Sequence, residues 1–97
     1  MRALFFTAKW CAGCRKMHPI IDKLRSEGVL KNVTEYDADK DTEVLDAWDI
    51  QMLPALLFVK DDSDEMINGF FGAQSYEDLK DGVESIEARE ERRKESV

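Results

Sequence analysis

An α/β fold in a single domain spanning residues 1–97 is the expectation for this chain, and three features carry it. With 97 residues the chain has length for one core and too little for two ordinary domains. Apolar runs of strand length alternate with stretches of helical periodicity between Arg2 and Ile86. The first of these runs leads almost at once into Cys11 and Cys14, which stand at the start of a helical stretch.

Arg2 to Thr7, rich in Phe and bounded by small and polar residues, is expected as a buried first strand. From Cys11 to about Ser26 the apolar positions Met17, Ile21 and Leu24, with Ile20 beside them, recur at helical spacing, and Gly28 is placed to end the helix. Asn32 to Ala38 carries Val33 and Tyr36 in a polar setting and suggests a second strand. Asp39 to Asp41 offer N-cap chemistry for a short helix with Val44, Leu45 and Trp48 on its apolar face, broken by Met52-Leu53-Pro54. Ala55 to Val59 is the clearest strand, Asp61 to Asp64 a polar turn, and Met66 to Phe71 an antiparallel partner.

The last element is expected to begin at Ser75, an N-cap with Asp78 three residues on, and to carry Tyr76, Leu79, Val83 and Ile86 on one face. Glu87 to Lys94 is nearly all charged, and residues 88–97 are expected to form a solvated, fraying end. Trp48, Phe58, Phe70, Phe71 and Tyr76 are assigned to the core, because aromatic residues at strand or helix periodicity usually pack.

The chain is 43% hydrophobic and 36% charged, with a net charge of -7. That charge repels phosphate backbones and anionic lipid, so neither nucleic acid nor membrane is an expected partner. No apolar run approaches the roughly 20 residues of a membrane span. The first residues lack the apolar stretch and cleavage signature of a secretory signal, so a cytoplasmic, monomeric protein is expected. In the cytoplasm a structural disulfide is unusual, which leaves catalysis, redox sensing or metal binding for the cysteine pair.

Cysteines at i and i+3 on the first turn of a helix lie on one side, so their sulfurs can close a disulfide with little backbone movement. The unpaired amides and the positive end of the helix dipole favour a thiolate at Cys11, which marks it as the nucleophile. Cys14, one turn in and more buried, is then the resolving thiol. Lys9, Arg15 and Lys16 add local positive charge.

The run Phe6-Thr7-Ala8-Lys9-Trp10-Cys11-Ala12-Gly13-Cys14-Arg15-Lys16-Met17, followed by Pro19, Leu53-Pro54-Ala55 and Gly69-Phe70-Phe71-Gly72-Ala73, resembles the thioredoxin family over almost the whole chain. The resemblance implies a minimal thioredoxin-like fold, a four-stranded mixed sheet flanked by three helices, without the extra strand and helix that precede it in longer members. It implies a thiol-disulfide oxidoreductase that reduces disulfide-bearing protein substrates, takes electrons from a thioredoxin-reductase-like donor and needs no organic cofactor. Trp10 would pack beside the disulfide and Pro19 would kink the first helix. Pro54 would be a cis-proline that leaves the backbone of Leu53 free for an extended substrate. Ala12 and Gly13 would be the residues between the cysteines, and Gly72 would lie in a loop that also receives substrate.

Two departures from the family pattern stand out. Ala12-Gly13 replaces the usual Gly-Pro, which leaves the reduction potential open. Phe5 stands where the family keeps a buried acid six residues before the nucleophile, and Glu35 stands near the place of its companion lysine. Slower resolution or another proton acceptor is therefore expected, with water the plainest candidate. His18 precedes Pro19 and is expected on the helix surface.

Three alternatives remain at this level. Cys11, Cys14 and His18 offer three soft ligands, but a closed zinc site wants four and no second cysteine pair or histidine exists, so no metal is expected. A glutaredoxin would take electrons from glutathione, though Pro-Tyr between the cysteines and Thr-Val before the proline are missing. A binding module would use Trp10, Pro54 and Gly72 to dock on a larger enzyme while the thiols idle. The Asp37, Asp39 and Asp41 alternation lacks the glycine and closing Glu of a calcium loop, and helix capping is the expected role of those acids.

Overall fold

The computed structural model describes the backbone of residues 1–95 and the side chains of residues 1–92. Its elements are β1 (Arg2–Thr7), α1 (Ala12–Ser26), β2 (Val33–Asp37), α2 (Thr42–Ala47), β3 (Ala55–Val59), β4 (Met66–Phe71) and α3 (Tyr76–Glu95). The four strands form one mixed sheet in the order β2-β1-β3-β4, with β1 parallel to β2, β1 antiparallel to β3, and β3 antiparallel to β4. This is the expected four-stranded, three-helix architecture.

Both faces of the sheet are covered, which is why every residue of β3 is buried and why β1 and β3 read as continuous apolar runs. Strand alternation sends Ala3, Phe5, Leu56 and Phe58 to one face, where Met17, Ile21 and Leu24 of α1 and Leu79, Val83 and Ile86 of α3 cover them. Leu4, Phe6, Ala55, Leu57 and Val59 go to the other, against Val44, Leu45 and Trp48 of α2. The same parity places Thr7 on the Phe5 face at the end of β1. Glu35 is the register partner of Phe5 on β2, so it shares that face.

The ends of the elements follow local chemistry in most places. Gly28 leaves α1 with φ +76, and its N–H bonds to the Arg25 carbonyl. The Ser75 hydroxyl accepts the Asp78 backbone N–H at 3.1 Å, the cap expected for α3. At α2 the expectation needs correcting. Asp41 occupies the N-cap position but makes no side-chain cap, because its carboxylate accepts the Asp37 N–H at 2.9 Å and ties the end of β2 to the turn. Phe71 is also corrected from core to surface, being 47% exposed at the last position of an edge strand. The charged C-terminal end continues as helix to Glu95, and its last two residues lie outside the described ones.

Candidate active site

Cys11 is the N-cap of α1, with extended backbone angles (φ -88, ψ 114) that turn its side chain over the open end of the helix. Its Sγ accepts the Cys14 backbone N–H at 3.2 Å, as an N-cap oxygen would. No acidic residue occupies the first turn of α1 to oppose negative charge there. Both cysteines are free thiols, Cys11 half-buried and Cys14 fully buried. Burial pushes the Cys14 thiol up from its ordinary value of 9.0, and the hydrogen bond with Cys11 adds to this, while hydrogen bonds from the Thr7 hydroxyl and the Ala8 backbone act in the opposite direction.

Around this turn the structure brings most of the expected residues together. A Cβ at Gly13 would lie 3.1 Å from Pro54 Cδ and 3.5 Å from Ala73 Cβ, so the cysteine turn touches both the proline loop and the loop after β4. The Leu53-Pro54 bond is cis. The Gly72 N–H donates to the Pro54 carbonyl at 2.8 Å and locks the two loops side by side. Trp10 is 63% exposed, and its indole N–H donates to Asp39 Oδ1 at 3.1 Å. Asp39 therefore orients Trp10, a role that capping chemistry did not suggest. Ala12 is exposed on the first turn, whereas the side chain of Leu53 packs beneath the site against the α2 face of the sheet. Trp10, Met52 and Phe71 are exposed apolar groups at this end of the sheet.

On the Cys14 side the contacts differ from the sequence expectation. Phe5 is buried and points toward α1, with its ring edge-on to His18 at 5.3 Å and 77°. His18 therefore does not project freely from the helix. Its Nε2 lies 3.1 Å from Thr7 Oγ1 and 3.5 Å from Glu35 Oε1. The cause is register, since Phe5, Thr7 and Glu35 present an aromatic edge, a hydroxyl and a carboxylate to one point on α1. A groove of about 420 Å³ opens here, lined by Thr7, Ala8, Lys9, Arg15, His18, Glu35 and Asp37. Among the described residues, no group of three His, Cys, Asp or Glu side chains is arranged to hold a metal ion.

The chain is similar to known proteins. The thioredoxin family model matches residues 3–85. The TPR repeat-containing thioredoxin of Arabidopsis thaliana is 34% identical over 58 residues, which are 60% of this chain and 15% of that protein. The thioredoxin of Borreliella burgdorferi is 31% identical over 77 residues, or 76% of this chain and 65% of that one. The chain thus spans less than two thirds of either relative's length. Thioredoxin 1 from the thermophilic eubacterium Thermosipho africanus superposes with a TM-score of 0.78 at 14% identity, over 94% of this chain and 99% of that one, a likeness of fold. The matched span begins in β1, takes in the cysteine turn and both flanking loops, and ends within α3, so the chain belongs to the thioredoxin family.

Proposed function

We propose that the chain is a thiol-disulfide oxidoreductase of thioredoxin type, which reduces protein disulfides through Cys11 and Cys14. The observation that carries this reading is the N-cap geometry, in which a half-buried sulfur sits over an open helix end and a buried thiol lies one turn behind it. Family membership and the paired cysteines support redox chemistry in general terms.

In the first step the Cys11 sulfur attacks a substrate disulfide, the substrate S–S bond breaks, and one substrate sulfur leaves as a thiolate. In the second, the Cys14 sulfur attacks the Cys11 sulfur and displaces the other substrate sulfur. The protein ends with a Cys11–Cys14 disulfide, and the substrate has gained two electrons. The exposed side chain of Met52 beside Gly72, with exposed Trp10 next to Cys11, suits an extended, partly apolar substrate segment. A thioredoxin-reductase-like donor would regenerate the dithiol, in the cytoplasm and with the protein as a monomer. The chemistry calls for no organic cofactor.

An insulin reduction assay tests the reading. Wild-type protein with a chemical reductant should accelerate insulin precipitation, and Cys11→Ser should not. Equal, background rates for both would refute it.

A further inference from the structure

We propose that Thr7 and His18 form the proton path that serves Cys14, the Thr7 hydroxyl standing at the reacting sulfur and His18 receiving the proton through it. The proposal rests on the oxidoreductase reading above and goes beyond it by assigning the acceptor.

The need is physical. Cys14 is fully buried and must lose a proton as it attacks the mixed disulfide. Phe5, at the middle of the adjoining face, has no lone pair to offer. The hydrogen-bonding groups at the thiol are Cys11, the Thr7 hydroxyl and the Ala8 backbone. The Cys11 sulfur is the atom under attack in the mixed disulfide, and a backbone N–H cannot take a proton. A hydroxyl can take one only by giving up its own. Thr7 is 5% exposed, and His18 Nε2 lies 3.1 Å from its oxygen, within hydrogen-bond reach.

The groups facing His18 are consistent with transient charge there. Glu35 Oε1, from β2, is 3.5 Å from the same nitrogen and would face the new cation. Asp37 from β2, Lys9 from the loop before the cysteines and Arg15 from α1 complete the charged lining of the groove, two cations and two carboxylates in all. Cys14 itself lies behind Thr7. With the His18 side chain 41% exposed, the proton has an exit to solvent.

The step balances. The Cys14 proton passes to Thr7 Oγ1 as the Thr7 proton passes to His18 Nε2. The Cys14 sulfur forms its bond to the Cys11 sulfur, the bond from Cys11 to the substrate sulfur breaks, and that sulfur departs with the electron pair. Thr7 ends unchanged, and His18 holds one proton.

A stopped-flow reaction of the reduced protein with a chromogenic aromatic disulfide separates the two halves of the cycle. The first thiolate released reports attack by Cys11 and the second reports resolution by Cys14. His18→Ala should slow the second phase relative to the first by about tenfold, less than the roughly hundredfold or more usual for proton transfer by a side chain because water from the groove takes over in part. Added imidazole should restore it, and the pH profile of the second phase should lose a limb that wild type shows. Thr7→Val should slow the same phase without imidazole rescue, and Thr7→Ser should recover it. An unchanged ratio of phases in both His18→Ala and Thr7→Val overturns the proposal, as does a slowing in His18→Ala with no imidazole rescue and an unaltered pH profile. If wild type itself releases no second equivalent, the oxidoreductase reading falls and this proposal with it.

Discussion

Cys14 is fully buried, and its surroundings hold it as a thiol. Because its folded value is raised above 9.0, the folded state keeps a proton that the unfolded state loses once the pH passes that value. The stability tied to this group is thus complete below 9.0 and is lost as pH rises through the folded value. Denaturant titrations of the reduced protein between pH 8 and 10.5 should show wild type losing stability faster than Cys14→Ala, and parallel curves would contradict the raised value. Tyr76, raised from 10.0 by its hydrogen bond to Glu27, contributes to both proteins alike and drops out of the comparison. Gly72 carries a different constraint. Its φ of +86 is unfavourable for residues with a Cβ, while the space beside it holds only Met52 Sδ at 3.6 Å. Gly72→Ala should therefore cost about 1–2 kcal/mol through the backbone alone, read as a fall in denaturation midpoint, and an unchanged midpoint would refute the strain. At this scale the legible residues were those whose role is local. The places of Cys11, Cys14, Gly28 and Ser75 at helix ends are set within one turn of chain, so spacing indicated them. The contacts of His18 and Asp39 depend on residues brought from β1, β2 and the cysteine loop, which no local pattern encodes.

Strands β1 and β3 were readable because burial on both faces leaves them apolar throughout, and β2 was weaker because an edge strand keeps polar side chains. The same edge position explains Phe71, whose aromatic character suggested the core although β4 ends in solvent beside Gly72. The Asp41 cap failed for a related reason, since a carboxylate within reach of a free strand-end N–H has a second partner to choose. Among the glycines, the closest approach is at Gly82, where α3 crosses β4. A Cβ on Gly82 would fall 2.5 Å from Phe70 Cζ, and the Phe70 ring is itself held edge-on to Phe58 at 5.9 Å. Alanine is the better helix former by about 1 kcal/mol, yet Gly82→Ala should destabilise the protein by about 1–3 kcal/mol, because the ring cannot move without disturbing the core. Adding Phe70→Leu should recover part of that loss in a double-mutant cycle, whereas strictly additive effects would show that the contact is not the cause.

The whole molecule consists of two apolar layers around one sheet, with the cysteine turn, the Pro54 loop and the Gly72 loop gathered at one end. The alternation of elements predicted this class, and the family resemblance supplied the strand count. Which loops meet was settled by strand order, in which β1 lies beside β3 and thereby brings the start of α1 to Pro54. Against the acidic balance of the chain, at -7, the groove beside the site is evenly charged, with Lys9 and Arg15 facing Glu35 and Asp37. The central claim is that Cys11 attacks and Cys14 resolves. Its most direct test is mass spectrometry under non-reducing conditions after mixing a disulfide-bearing protein such as insulin with Cys14→Ser. The account predicts a covalent one-to-one adduct through Cys11 that is absent from Cys11→Ser and does not accumulate in wild type. No adduct with Cys14→Ser, or an equal yield with Cys11→Ser, would contradict it.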